Sequence, residues 1–408
     1  MRTDDAGEPS GGVQGIGTPL TALFATAVGV IVLALYASQP LVGIIGPELG
    51  LSPGLSGLAT TLTLLGYATG LFLLVPLTDI VENRKLILAT LVANICALSV
   101  LAFASTATIF LIASFLVGLS TSAIQMLVPV AAALSSEAQR GRTVGNVMSG
   151  LMLGILFSRP VASIVTEAMG WRALYGLLGF TVATLAVVLA LFVPTFRPLG
   201  KTSYLALIGS LGSILKEEPV LRRRAASQAM CMATFSIFWT AIALRLAEAP
   251  FTLGQTGIAL FALAGAAGAV IAPIAGRAGD RGFTRQATTL AHAAVIAAMI
   301  LAYLGGSTHI ESGGISLALL VIAAVLLDLG VIADQTLGRR AINLLRPEAR
   351  GRMNGLFTGL FFLGGAAGSA LSGVVWTVWE WQGVCAAGLT FGLAAVTAAL
   401  IGRSTQSR

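Results

Sequence analysis

The chain has 408 residues, 56% of them apolar and only 10% charged, with a formal net charge of +7. Soluble domains carry roughly 25% charged residues, so a water-soluble globule is excluded; the basic residues sit in short loops, which excludes a nucleic-acid-binding face. The three cysteines, Cys96, Cys231 and Cys385, fall inside apolar stretches and read as small packing residues, which excludes a disulfide framework.

Residues 1–18 are polar, carry Asp4, Asp5 and Glu8, and lack the basic region and short apolar core of a signal peptide, so they read as a disordered tail. Apolar stretches then follow at 20–42, 55–78, 86–105, 108–134, 143–168 and 173–194. After a break they resume at 225–246, 255–276, 286–305, 315–336, 353–376 and 383–402. A hydrocarbon core of roughly 30 Å takes about 20 helical residues to cross. The stretches lack the alternation of barrel strands, and without water every backbone amide must be satisfied internally, so each is predicted to be a helix. The fold class is an all-α membrane protein with 12 transmembrane helices, and the 48 glycines suit close helix approach in lipid.

The segment 195–224 is the one long connection, basic and interrupted by Pro198 and Pro219. Within it Leu205, Ile208, Leu211 and Leu215 recur at helical spacing; a short helix on the membrane surface and a plain linker both fit. The organisation is a tail at 1–18, a six-helix bundle at 19–194, a cytoplasmic linker at 195–224, a second six-helix bundle at 225–402 and a tail at 403–408. Of the 24 Lys and Arg residues, 21 fall on one side under this assignment, only Arg172 and Arg245 on the other, and Arg159 lies within a span. Positive charge marks the cytoplasmic side, so both termini are expected there, in the cell inner membrane.

The two halves repeat. Ser52, Gly54, Ser56 and Gly57 match Thr252, Gly254, Thr256 and Gly257, and after one inserted residue Asp79 matches Asp280. Further on, one offset pairs Gln125 with Gln335, Gly141-Arg142 with Gly351-Arg352, Gly154 with Gly364 and Trp171 with Trp381. Two bundles in parallel orientation follow, with a binding site expected near the midplane between them.

The residues after the second span read Leu77-Thr78-Asp79, then Arg84-Lys85, and those after the eighth read Gly276-Arg277-Ala278-Gly279-Asp280-Arg281-Gly282. Both resemble the G-x-L-a-D-r-x-G-R-r loop of the major facilitator superfamily, and the resemblance covers nearly the whole chain. Tyr36-Ala37-Ser38-Gln39-Pro40-Leu41, Gly170-Trp171-Arg172 and Phe238-Trp239-Thr240 resemble bacterial sugar- and drug-efflux permeases of the drug:proton antiporter type. The sequence departs from that type at Ser114, where an Arg is usual, and at Ser158-Arg159-Pro160, near the usual Gly-Pro pair. The resemblance implies a gating role for Asp79, Arg84, Asp280 and Arg352. Asp79 would meet the positive end of the eleventh helix, near Met353, when the cytoplasmic side is closed; the alternative is a loop carboxylate paired with Arg84 or Arg352.

Arg159 lies 17 positions after Arg142, roughly 25 Å along a helix. A charge at that depth normally faces a cavity or a partner. It either binds an anionic substrate group or releases a proton-coupling carboxylate; carbonyls freed at Pro160 or snorkelling outward would also satisfy it. Asp328 is the acid set deepest in a span. Moving between an apolar setting and a cation's neighbourhood would let it carry a proton, whereas a fixed hydroxyl or Arg159 partner would make it structural. Asp334, nearer the basic side, reads as solvated or ion-paired. Gln125, Gln335 and Gln39 suit a polar solute and equally suit interhelical bonding. Tyr36 and Trp239 are candidates for an aromatic wall of the same cavity, and equally for lipid-facing or core positions. His292, on a helix that the resemblance places at the bundle periphery, reads as an interhelical hydrogen-bonding residue. Trp376, Trp379 and Trp381 read as interfacial anchors.

No phosphate loop, zinc spacing or nucleophile elbow is present, so neither an enzyme nor a cofactor is expected. The expected function is secondary active export of a small organic solute in exchange for protons, by a monomer whose partners are its substrate, protons and the lipid bilayer. An organic-anion uniporter or importer and a non-transporting membrane sensor are the alternatives.

Overall fold

The structure, a computed structural model, describes residues 18–195, 203–307, 313–346 and 349–401. The tail before Thr18, the linker stretch with Arg197, Pro198 and Lys201, and the tail 403–408 lie outside the described residues. Among the described residues all regular structure is helical.

The spans run Thr18–Glu48 (span 1), Leu58–Asp79 (span 2), Asn83–Ala102 (span 3), Ala107–Leu134 (span 4), Gln139–Met169 (span 5) and Trp171–Phe192 (span 6). They continue with Pro219–Ala247 (span 7), Gln255–Asp280 (span 8), Thr284–Gly306 (span 9) and Gly313–Asn343 (span 10). The final helix, Arg350–Ile401, is divided at Glu380, where φ is 51° and ψ is −143°, into spans 11 and 12. The Lys- and Arg-rich loops share one face of the molecule, called the basic face below.

The internal repeat reappears as a repeat of helix pairs. Span 1 packs on span 5 and span 7 on span 11; span 2 packs on span 4 and span 8 on span 10; span 3 packs on span 6 and span 9 on span 12. Glycine makes the tightest of these approaches possible. A Cβ on Gly154 would lie 2.2 Å from the Gly29 carbonyl oxygen, and one on Gly364 would lie 2.0 Å from that of Ala229. Those are matching positions of the two halves, so the repeated glycines mark one backbone contact built twice. Across the halves, span 2 lies against span 11 and span 5 against span 8.

Spans 1, 4 and 8 are broken near their middles. Span 1 is helical to Tyr36, passes through a 3₁₀ turn at Gln39–Leu41 that contains Pro40, and resumes at Val42. Span 4 breaks at Ser122, and span 8 carries a 3₁₀ turn at Leu263–Ala266. Proline removes a donor and fixes φ. Such interruptions free backbone groups and are tolerated at membrane depth only where protein or a cavity surrounds them.

The connection between halves holds a helix, Tyr204–Glu217, begun by Ser203, whose Oγ accepts from Ala206 N at 3.3 Å. Its buried face is Leu207, Leu211 and Ile214, and it packs with Met353, Leu356 and Phe357 at the start of span 11. Leu205, expected on the apolar stripe, is instead 81% exposed. The helix therefore docks against protein with a register shifted from the sequence expectation. Arg346 ties it further, donating to Glu217 at 3.0 Å and to Glu218 at 2.6 Å. The hydrogen bond to Glu217, joined by Glu218, raises the Arg346 pKa above its ordinary value.

Two expectations need correction. Trp381 is not an interfacial anchor: it is buried, donates from Nε1 to the Ala302 carbonyl at 2.8 Å and meets Phe238 edge-on. Trp379 is the exposed member of that group. Of the two readings of Asp334, the solvated one fails and the ion-paired one holds, with Arg224 Nη1 3.8 Å from its Oδ1. Asp334 is buried, because span 10 continues to Asn343 and keeps it inside the second bundle.

Candidate functional site

The helix breaks surround a polar layer that joins the two halves. Arg159, on span 5, is 3% exposed. Its Nε donates to Gln39 Oε1 at 2.8 Å. Its guanidinium carbon sits 4.3 Å over the Trp239 ring and 5.2 Å from the ring centroids of Tyr36 and Phe235. Desolvated cation–π contacts of this kind contribute about 2 kcal/mol. Trp239, from span 7, donates its indole N–H to Asp328 Oδ1 at 3.0 Å. One indole thus touches a first-half guanidinium on its face and a second-half carboxylate on its edge. Neither carbonyls freed at Pro160 nor snorkelling accounts for Arg159. Gln39 Nε2 and Arg159 Nη2 remain buried donors without a partner among the described residues.

Asp328 fits because span 8 is thin beside it. A Cβ on Gly265 would come within 3.0 Å of Asp328 Oδ2, and one on Gly268 would lie 3.6 Å from the Asp328 Cβ. Tyr36 and Asp328 form the end wall of a central chamber of about 90 Å³ that also touches Tyr67, Gln125, Gln335 and Arg339. Gln39, Arg159 and Trp239 do not line the chamber; Arg159 and Trp239 contact Tyr36 and Asp328 respectively, and Gln39 accepts from Arg159. Gln125 donates to Tyr67 Oη at 3.2 Å, so one of its amide donors is spent within the first half.

Toward the basic face a cavity of about 510 Å³ shares Gln125, Met148, Arg339 and Thr358 with the chamber, and its mouth carries Asp79, Asn343 and Arg352. Ligand pockets measure roughly 300–1,000 Å³, so the mouth is large enough for a small organic molecule and the chamber alone is not. A larger groove, about 800 Å³, runs between spans 1 and 5; its one charged lining residue is Arg142.

On the opposite face the halves meet directly. Ser369 Oγ donates to the Gly57 carbonyl at 3.3 Å, and a Cβ on Gly57 would be 2.4 Å from the Ser369 carbonyl oxygen. Thr256 on span 8 donates to Glu167 on span 5. The molecule is therefore closed on that face and has its cavity toward the basic one. The four residues assigned to gating fall differently. Asp79 and Arg352 line the same mouth, but Arg352 donates to Ser210 of the connecting helix at 2.9 Å. Asp280 pairs with Arg340 Nε at 2.9 Å, and Arg84 donates to the Ala190 carbonyl at the end of span 6.

Arg339 is the site residue that sequence reasoning missed. Counted as a loop cation, it lies on span 10 one helical turn beyond Gln335 and faces both chamber and mouth. The spacing of four from Gln335 was the available signal.

A second polar cluster lies inside the second bundle. Asp334 Oδ1 is 3.5 Å from His292 Nε2 and 3.8 Å from Arg224 Nη1. His292 also shares a 3.1 Å hydrogen bond with Ser227 Oγ. Cys231, His292 and Asp334 bring their ligand atoms within 4.8 Å of one another. The Arg224 cation already supplies the positive charge that a metal would bring to this carboxylate.

A model of the Major Facilitator Superfamily matches residues 23–324. The chain is 36% identical over 374 residues to the uncharacterized transporter YgaY of Escherichia coli O157:H7, covering 92% of this chain and 93% of that one. It is 30% identical over 379 residues to a Streptomyces coelicolor protein described as a probable transporter, covering 93% and 85%. It is 26% identical to the inner membrane transport protein YnfM of Escherichia coli, covering 95% and 90%. Among solved structures, a bacterial homologue of the human lysosomal transporter Spinster, inward-facing and unoccupied, superposes with a TM-score of 0.70 at 14% identity, covering 95% and 96%. The nucleoside transporter NupG does so with a TM-score of 0.70 at 14% identity, covering 93% and 98%. The two solved structures support the fold alone. The family model and the relatives carry more: the chain belongs to the major facilitator superfamily, and is a membrane transporter of some solute and not an enzyme.

Proposed function

We propose that this chain exports a small organic solute across the cell inner membrane in exchange for protons, working as a monomer by alternating access with both termini in the cytoplasm. The distribution of Lys and Arg supports that orientation, and the relative YnfM carries an inner-membrane name. The absence of a phosphate loop from the sequence favours a gradient as the energy source. The solute would enter the mouth from the basic face and contact Gln125, Gln335 and Tyr36.

One observation carries the coupling. Asp328 belongs to the second half, Arg159 to the first, and the Trp239 indole touches both. Rocking of the halves moves the guanidinium relative to the carboxylate, so the acid's charge environment differs between the two states. A proton bound in one state and released in the other couples the cycle to the gradient. Gln39 holds Arg159, while Asp79 and Arg352 would close the mouth when the opposite face opens, as the helix dipole of span 11 favours.

The experiment is reconstitution in proteoliposomes with a pH-sensitive dye and a library of sugars, amino acids, organic anions and cationic drugs. Proton movement on addition of a solute supports exchange. Solute flux insensitive to the pH gradient supports a uniporter or importer, and binding without flux supports a sensor.

A further inference from the structure

Asp79, Asp328, Arg339 and Arg352 line the cavity, and a third cation, Arg159, lies just outside the lining beside Asp328, so cations outnumber acids by one. Asp328 has Arg159 on the same indole, and Asp79 shares the mouth with Arg352. Arg339 is left over. Its side chain lines both chamber and mouth, and it has no ion pair or side-chain hydrogen bond among the described residues. The groups beside it, Tyr67, Gln125, Asn343 and Thr358, are polar and neutral. A guanidinium held between membrane helices without a counter-ion is costly, and normally marks a ligand pathway or awaits a partner.

Apart from Tyr36, Gln335 and Asp328, whose Oδ1 already accepts from the Trp239 indole, the rest of the chamber wall is apolar. Phe361 and Phe362 stand at an edge-to-face angle of 88°, and Met148, Met152 and Ile332 line the same space. An inorganic ion would satisfy Arg339 and leave these surfaces uncovered. A cationic solute would cover them and meet repulsion from Arg339. We propose that the transported solute is an organic monoanion, its carboxylate or similar head on Arg339 and its apolar body against Phe361, Phe362 and Met148. A guanidinium presents parallel N–H donors that match a carboxylate two at a time, and the Gln125 amide on the adjoining wall bounds the same space. This proposal rests on the reading of the chain as a carrier through this cavity, and it names that carrier's substrate class.

Matched probes test it: 4-phenylbutyrate, its amide and 4-phenylbutylamine share a body and differ in charge. Each is titrated against the purified full-length protein, with thermal unfolding and tryptophan fluorescence as readouts. The expected result is stabilisation by the carboxylate alone. Arg339→Gln should weaken that response at least about tenfold, the loss of one charge-assisted pair, and Arg339→Lys should retain part of it. The unliganded unfolding temperature of each variant reports whether it has folded; if Arg339→Gln does not fold, Arg339→Lys set against the wild type decides, with an unweakened response counting against bidentate recognition. Stabilisation by the amine, equal stabilisation by all three, none by the carboxylate, or an unchanged response in Arg339→Gln overturns the proposal. A solute of another class that drives proton flux would overturn the substrate class and leave proton exchange standing. Carboxylate binding through Arg339 without proton flux would do the reverse.

Discussion

Asp328 and Asp334 stand six residues apart on span 10 and project roughly 120° apart around the helix. Both are buried acids in an apolar span, yet their surroundings differ in kind. Asp334 faces His292 and Arg224, all within the second bundle. Asp328 faces the boundary between the bundles, where an indole links it to a guanidinium of the other half. Burial alone therefore does not identify a coupling residue. What distinguishes the two acids is whether the neighbouring cation belongs to the same bundle or to the other one.

The largest effect expected is from Arg159→Ala, which removes the first-half cation from this boundary. Flux per inserted molecule should fall by at least about 100-fold, roughly 2.7 kcal/mol, with insertion intact; undiminished transport would remove Arg159 from the mechanism. Asp334→Asn sharpens the comparison from the other side. It should lower stability by about 1–3 kcal/mol, read as a drop in unfolding temperature, while the pH dependence of transport stays as in the wild type. A shifted pH profile there would erase the distinction between the two acids. Trp239→Phe keeps a ring under the guanidinium and deletes the N–H to Asp328. A loss of about 1 kcal/mol should appear as a severalfold weaker response to the proton gradient. Glu380→Gly is the smallest effect and lies far from both acids. Glu380 occupies the position that matches Gly170, where φ is 83°, but carries a side chain at φ 51°. Glycine should gain about 0.5–1 kcal/mol there in thermal unfolding without changing transport.

The helices, the repeat and the two deepest charges were legible in the sequence, because hydropathy sets span length and a charged residue stands out against an apolar run. The limits came from helix ends. Span 10 extends past the apolar stretch that announces it, so Asp334 was assigned partly to solvent and Arg339 to a loop, although both lie on the helix. The connecting helix was visible as a period, yet its register was not, since packing on Met353 and Phe357 decides which leucines are covered. Trp381 was misread through its neighbours Trp376 and Trp379; its repeat partner Trp171, also buried, held the better clue. Pairings such as Gln39 with Arg159 join residues 120 positions apart and depend on how the break in span 1 faces the unbroken helix of span 5.

Asp328→Asn in proteoliposomes tests the central claim most directly. With substrate on both sides, counterflow should continue near the wild-type rate, because the amide preserves shape and the halves can still rock. With only a pH gradient imposed, net transport should vanish. Gradient-driven transport that persists in this variant would show that the proton travels elsewhere and that the acid at the moving boundary is a structural residue like Asp334.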